Sequence, residues 1–434
     1  MIKVITYGTF DLLHQGHINI LKRAKALGDY LCVGVTTENF DVSRGKINVR
    51  QSLMERIEAV KATGIADEVF PEEYVGQKID DIKRNNISIF AIGSDWKGKF
   101  DYLNEYCQVI YLPRTEGVSS TQLRSNKPVV IGTVGSDPSM TKLIKTAAAV
   151  DGVEMGKVFL DEEYFGNRKS FTTVYDSYDK MLDKVDAIYV ATRPEKRYDF
   201  IKRAIEKGKH VISNSPMALS AEKYDELTAT AHRNKTVLFD SIKTAYMLAF
   251  SRMILLVKGG LIGDVKSIDV TCTSLENYDW LVKTKYFSSF TDWGAIALLP
   301  IFKLLGLGYK KVSFSSLGDD NLDDIFTKVN MEYDGAIATI STGLGVKSEG
   351  DLRISGTKGY IYVPAPWWKS EYFEARFEDA SNNKPYYYKS DNEGLSMELV
   401  HFARCIRSGD GNFYVESEIS RAVADVMELY NEKK

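Results

Sequence analysis

Apolar runs rich in β-branched residues alternate with amphipathic stretches from the first residues of the chain. Lys3 to Tyr7 is a short apolar run, His17 to Leu27 carries apolar residues at helical spacing, and Tyr30 to Thr36 is apolar again. That rhythm predicts a βαβ unit, and so a parallel sheet covered by helices. Ser88 to Ile92 and Gln108 to Tyr111 predict further strands. The polar stretch Arg124-Ser125-Asn126-Lys127-Pro128 interrupts the pattern before a new strand opens at Val129-Val130-Ile131-Gly132, so a domain boundary is expected between residues 126 and 127. A second βα series follows, with strands expected at Lys157 to Asp161, Ala187 to Ala191, His210 to Ser213 and Val237 to Asp240. Their spacing is that of a doubly wound α/β sheet. From about Ala245 the segments lengthen and turn β-prone, as at Val265 to Leu275, Lys328 to Tyr333, Ala336 to Thr342 and Gly359 to Val363, which predicts a larger open sheet. Two helices around the turn Ser408-Gly409-Asp410-Gly411 are expected to close the chain. The expected class is α/β, in three domains: residues 1–126, 127–245 and 246–434.

A length of 434 residues exceeds what one core usually serves, in keeping with that division. Apolar residues make up 44% of the chain, yet no uncharged run is long enough to span a bilayer, so no membrane insertion is expected. The N-terminus enters an apolar β-like run directly, without the series of a secretion signal, and a cytoplasmic protein is expected. Cys32, Cys107, Cys272 and Cys405 lack metal-ligand spacing and are read as buried thiols. A net charge of −3 gives no general attraction for nucleic acid, so any anionic ligand must be held locally.

The densest chemical signal is Gly8-Thr9-Phe10-Asp11-Leu12-Leu13-His14-Gln15-Gly16-His17, placed between the first strand and the first helix. The free N–H groups and dipole of a helix start favour phosphate there. His14 and His17, with the small Gly16 between them, can aim ring N–H donors at one anion. They need not act as bases, because the charge that builds on an attacked phosphorus is stabilised electrostatically. Two of the chain's five histidines fall in this one turn, which weighs against a pair of idle surface side chains.

The wording of that turn resembles the cytidylyltransferase family, and most closely the glycerol-3-phosphate cytidylyltransferases, over essentially Met1 to Arg124. Three further blocks carry the resemblance: Arg44-Gly45-Lys46, the stretch from Gly93-Ser94-Asp95-Trp96 through Lys99 to Asp101, and Arg114-Thr115-Glu116-Gly117-Val118-Ser119-Ser120-Thr121. The resemblance implies a Rossmann-like nucleotidyltransferase fold that joins CTP to a polyol phosphate and releases pyrophosphate, with Mg²⁺ on the phosphates. Its implied catalytic set is His14, His17, Lys46 and Arg114. Its implied nucleotide contacts are Thr9, Phe10, Gly16, Arg44, Asp95, Thr115, Ser119 and Thr121. Its implied acceptor contacts are Asp11, Arg56, Trp96 and Lys99, with Asp11 also a candidate for the metal. Where the family usually carries an arginine associated with the acceptor phosphate, this chain has Gly64. Glycerol 3-phosphate, glycerol 2-phosphate and a pentitol phosphate therefore stay open as acceptors. The products of such enzymes feed teichoic acid or capsule assembly in bacteria.

The remainder, Lys127 to Lys434, is similar to the glucose-fructose oxidoreductase and inositol dehydrogenase family. Val185-Asp186-Ala187-Ile188-Tyr189-Val190-Ala191-Thr192, Gly260-Leu261-Ile262-Gly263-Asp264-Val265 and Ile354-Ser355-Gly356-Thr357-Lys358-Gly359 carry the likeness. It implies a Rossmann-type domain followed by an α+β open-sheet domain. Hydride transfer in that family depends on a Glu-Lys-Pro element and an Asp-x-Gly-x-His element. Here they read Asn214-Ser215-Pro216 and Asp292-Trp293-Gly294-Ala295-Ile296, so Ser215 and Ile296 stand where the lysine and histidine would. Gly132-Thr133-Val134-Gly135-Ser136-Asp137 spaces its glycines unlike a dinucleotide turn and adds an acid near the pyrophosphate position, which puts NAD(P) binding in doubt. Gly132, Gly135 and Asp161 are the candidates for any such binding. Either a reductase that supplies the polyol precursor or a non-catalytic scaffold fits this half, and a homodimer or higher homo-oligomer is expected. The aromatic groups Pro366-Trp367-Trp368 and Tyr386-Tyr387-Tyr388 fit an oligomer surface or internal packing equally.

Overall fold

The structure is a computed structural model of the 434-residue chain, and it describes all residues except 12, 14, 38–50, 74, 75, 114–127, 138, 151, 163, 165, 166, 276–287, 319–323, 389–391, 409–411, 413 and 434. The chain divides into two compact units, Met1–Lys127 and Pro128–Lys434.

In the first unit, β1 (Lys3–Gly8), β2 (Tyr30–Thr36), β3 (Glu68–Glu72), β4 (Ile89–Gly93) and β5 (Gln108–Leu112) form a parallel sheet in the order β3-β2-β1-β4-β5. Val4, Ile5, Leu31, Val33 and Phe90 are fully enclosed, as expected for parallel strands with both faces covered. The helix Leu53–Ala62 starts at a capping box, in which Ser52 and Glu55 satisfy each other's backbone N–H. β3 has no counterpart in the apolar pattern, because it is an edge strand with an exposed Glu68 and a proline at position 71.

The second unit holds two sheets. β6 (Val129–Gly135), β7 (Val153–Phe159), β8 (Thr173–Tyr175), β9 (Ala187–Ala191), β10 (His210–Asn214) and β11 (Leu238–Ser241) are parallel, in the order β11-β10-β9-β6-β7-β8. β7 begins at Val153 rather than Lys157, since Gly156 at φ +129° lets the strand continue through a stretch that lacks an apolar run. β12 (Val265–Ser274), β13 (Lys311–Leu317), β14 (Phe326–Tyr333), β15 (Ala336–Leu344), β16 (Leu352–Gly356), β17 (Tyr360–Val363), β18 (Tyr372–Arg376) and β19 (Lys384–Tyr387) make a mixed sheet in which only β12 and β15 pair in parallel. The chain is thus α/β throughout, with a parallel five-stranded sheet, a parallel six-stranded sheet and a mixed eight-stranded sheet. β13, β18 and β19 escape the sequence pattern because their faces are half exposed and polar.

The helix Ser289–Leu305 packs on the mixed sheet, and Leu399 and Phe402 of Leu395–Ser408 join the core of the parallel one. Among the described residues, no helix is long and apolar enough to cross a membrane. Cys32, Cys272 and Cys405 are buried free thiols, while Cys107 is only partly covered.

Gly135, at the end of β6, has φ +139°, and an added Cβ would lie 1.9 Å from the Ala191 carbonyl oxygen. Gly135→Ala is therefore expected to destabilise the second unit by at least about 2 kcal/mol. Urea unfolding of the full chain should show that unit's transition moving to lower denaturant, and an unmoved transition would contradict the packing.

Candidate active site

β1 runs into the helix Gln15–Lys25 through the turn that carries the signal sequence. Phe10 occupies the left-handed region at φ +53°, uncommon for a bulky residue, and its ring is buried. It meets the His17 ring edge-on at 5.5 Å between centroids, so the turn's strained residue is also the support for His17. His17 is the third residue of the helix, one after Gly16, where the positive end of the helix dipole lies. No acidic residue lies in that first turn, while Lys22, Arg23 and Lys25 lie in the last.

Two buried charged groups hold the turn. Asp11 accepts the Gln51 backbone N–H at 2.9 Å. Arg56, fully enclosed, donates from Nε to the Gln51 carbonyl at 2.9 Å and from Nη1 to the carbonyls of Thr9 at 2.8 Å and Thr36 at 2.6 Å. One guanidinium thus fastens the ends of β1 and β2 to the start of Leu53–Ala62. Arg56 was expected to touch the acceptor. Its Nε and Nη1 face main-chain oxygens inside the protein.

Because β4 neighbours β1, the segment after β4 leaves the same carboxyl edge of the sheet, where open α/β folds meet ligands. Trp96 ends the short turn Ser94–Trp96 and packs against Phe100 at 5.8 Å, and the exposed Lys99 sets its ammonium 5.1 Å from the Trp96 ring. Thr9, Phe10, Asp11, Gly16 and His17 thus share one turn, and Trp96 and Lys99 leave the adjacent strand end. The expected residues His14, Arg44, Lys46, Arg114, Thr115, Ser119 and Thr121 lie outside the described residues, as does the side chain of Asp95.

A further polar group in this unit has no counterpart in any motif. Lys78 is ion-paired with the fully buried Glu72, which also accepts from Thr36 Oγ1 at 3.0 Å, and the Lys78 ammonium lies 4.5 Å from the Tyr7 ring. Tyr7 Oη donates to Asp81 at 2.8 Å, and Gln77 Nε2 donates to the same carboxylate at 3.1 Å. Burial pushes both the Asp81 carboxyl and the Tyr7 phenol above their ordinary values. The only sequence signal was a set of polar residues at helix positions that periodicity assigns to the core side.

In the second unit, Gly132 lies inside β6 and not in the turn, packed against Met181 and Val185, because the strand continues to Gly135. Asp137 Oδ1 accepts the Ser139 N–H at 2.8 Å, so a carboxylate already occupies the start of Met140–Ala147. Asp161 follows the end of β7, where it contacts Thr192 Oγ1 at 2.5 Å and Lys196 Nζ at 3.4 Å. Ser215 precedes a cis proline, and Ile296 lies within Ser289–Leu305. Trp367, Trp368 and Tyr388 are buried, Trp368 meeting Trp293 at 4.8 Å, whereas Tyr387 is exposed. The aromatic group is therefore largely internal packing, drawn in by the apolar area such rings remove from water.

The first unit has the architecture and opening turn of a nucleotidyltransferase domain, and the second the two-sheet architecture of an oxidoreductase module. Residues 5–126 match the family model described as cytidylyltransferase-like, and residues 146–240 the model described as the oxidoreductase family with an NAD-binding Rossmann fold. The glycerol-3-phosphate cytidylyltransferase of Bacillus spizizenii is 52% identical over 126 residues, which cover 29% of this chain and 97% of that protein. The trans-1,2-dihydrobenzene-1,2-diol dehydrogenase of Xenopus laevis is 24% identical over 311 residues, or 68% of this chain and 89% of that protein. A 3-ketoreductase from Actinomadura kijaniata, solved with TDP-benzene and NADP, shares the fold with TM-score 0.62 at 16% identity, over 70% of this chain and 98% of that one. The chain belongs to the cytidylyltransferase-like family through an N-terminal domain of the glycerol-3-phosphate cytidylyltransferase type, to which a Gfo/Idh/MocA oxidoreductase module is joined.

Proposed function

We propose that the first unit transfers CMP from CTP to a glycerol phosphate, giving CDP-glycerol and pyrophosphate. The observation that carries this reading is His17 in the first turn of a helix, backed by a buried aromatic ring at the carboxyl edge of a parallel sheet. The acceptor phosphate oxygen attacks the α-phosphorus of CTP, the bond to the bridging oxygen breaks, and pyrophosphate leaves. The nucleophile is already anionic, so no general base is required. His14 and His17 donate to the α-phosphate oxygens as charge builds, Lys46 and Arg114 offset the triphosphate, and Trp96 and Lys99 border the acceptor. Arg56 and Asp11 hold the turn in place.

Mg²⁺ bound to the triphosphate oxygens would withdraw charge from the leaving pyrophosphate. Asp11 already uses one carboxylate oxygen on Gln51, and among the described residues no three His, Cys, Asp or Glu side chains gather as a metal site. Pyrophosphate release from CTP, measured against glycerol 3-phosphate, glycerol 2-phosphate and pentitol phosphates, tests the assignment and selects the acceptor. No CTP-dependent release with any of them would remove it. A product of this kind would serve assembly of a polyol-phosphate cell-wall or capsular polymer.

For the second unit we favour a non-catalytic scaffold that brings copies of the transferase together. Serine and isoleucine stand at the positions from which the family handles its protons, and an isoleucine carries none. The Asp137 carboxylate accepts the Ser139 N–H just ahead of the helix Met140–Ala147 and sets negative charge near the place a pyrophosphate would take, which weighs against a dinucleotide. Residues 1–127 produced alone are expected to keep CTP-dependent turnover within about threefold of the full chain while losing its oligomeric state. An oligomeric state unchanged by the truncation would count against the scaffold. Quenching of NADPH fluorescence on titration with the full chain, with turnover of a carbonyl substrate, would restore the reductase reading.

A further inference from the structure

Four side chains near the carboxyl edge of the six-stranded sheet form a continuous oxygen chain. Glu398, on the helix Leu395–Ser408, has Oε2 3.0 Å from Ser241 Oγ at the end of β11. Ser241 Oγ lies 3.0 Å from Tyr189 Oη of β9, and Tyr189 Oη lies 3.0 Å from Asn214 Oδ1, the last residue of β10. Glu398, Tyr189 and Ser241 are buried, while Asn214 is partly open to solvent.

Three contacts need three hydrogens. Ser241 and Tyr189 supply two, and with the Asn214 oxygen facing inward the third must come from a protonated Glu398. The sequence of donors is then Glu398 to Ser241, Ser241 to Tyr189, and Tyr189 to Asn214 Oδ1. An ionised Glu398 can only accept, so every donor must turn round: Tyr189 gives to Ser241, Ser241 to Glu398, and the Asn214 amide rotates to donate from Nδ2. We propose that these four residues are a bistable hydrogen-bond chain in which the proton on Glu398 sets whether Asn214 shows an N–H donor or a carbonyl acceptor to the carboxyl end of the sheet. Because that end is where open α/β sheets meet ligands, a ligand that donates to Asn214 and the release of the Glu398 proton favour each other.

The surroundings support titration near neutrality. Burial pushes the Glu398 carboxyl up to about 7, with Lys243 opposing that shift and Asp240 adding to it. His401 and Arg404 follow on the same helix, and Arg197 and Asp137 act at Tyr189, whose phenol burial keeps protonated. Between the ordinary 4.5 and about 7 the unfolded chain has released the proton that folded Glu398 retains, so this residue lowers stability as pH rises through that window.

Infrared difference spectra of the full-length chain carrying ¹³C-glutamate, recorded from about pH 5 to about pH 9, test the chain together with the Asn214 side-chain ¹⁵N–¹H signals. The expected result is one buried carboxylic-acid band that disappears with a midpoint near 7, is lost in Glu398→Gln, and is followed by a shift of the Asn214 amide with the same midpoint. In Tyr189→Phe the band should persist while the Asn214 amide no longer follows it. Absence of the band, an Asn214 amide indifferent to pH in the parent, or one that still titrates in Tyr189→Phe, would each overturn the proposal. The melting temperature should fall less across this pH window in Glu398→Gln than in the parent, and equal slopes would overturn it as well.

Discussion

His17→Ala is expected to lower the rate of CDP-glycerol formation from CTP by roughly a hundred- to a thousandfold, the usual cost of removing one donor aimed at charge that develops in a transition state. The loss should appear in kcat rather than in KM for CTP, because an interaction made chiefly with the transition state contributes little to ground-state binding. The fold should survive, since His17 is only partly buried. A variant within about tenfold of the parent would remove His17 from the chemistry. Phe10→Ala then separates support from catalysis: it should raise the unfolding tendency of the first unit as well as slow turnover, because the ring it deletes is buried.

Arg56→Ala is expected to cost the first unit about 3–5 kcal/mol, a large fraction of a typical domain's stability. Three carbonyls, at Thr9, Thr36 and Gln51, lose a charged donor at once. Arg56→Lys should recover only part of the loss, as a single ammonium cannot reproduce a planar fork directed at three acceptors. Denaturant unfolding monitored on residues 1–127 reads the effect directly. A loss under about 1 kcal/mol would mean that the guanidinium is dispensable to the fold and would return Arg56 to the candidates for substrate contact.

These two variants also divide what could be read before folding from what could not. The His17 position followed from sequence, because a strand, a short Gly-bearing turn and a helix start are local features whose chemistry survives without knowledge of distant residues. The boundary-free succession of strands and helices was legible for the same reason: β2, β9, β10 and β12 sit in apolar runs, and burial on both faces leaves a continuous signature. Edge strands such as β3 and β19 were not legible, since half-exposed strands need no apolar run.

By itself, then, the sequence determined the α/β class and the kind of turn that opens the first unit, and it set Ser215 and Ile296 in the two elements where the resemblance implies a lysine and a histidine. Only the tertiary structure decided that Arg56 is enclosed by main-chain carbonyls, that Gly132 lies within a strand, and that Glu398 reaches Asn214 through two hydroxyls. The physical reason is range. Hydrophobic period and turn chemistry act over a few residues, whereas a buried charge takes its role from partners far along the chain, at separations of 20 and 47 residues for Arg56 and 157 for Glu398.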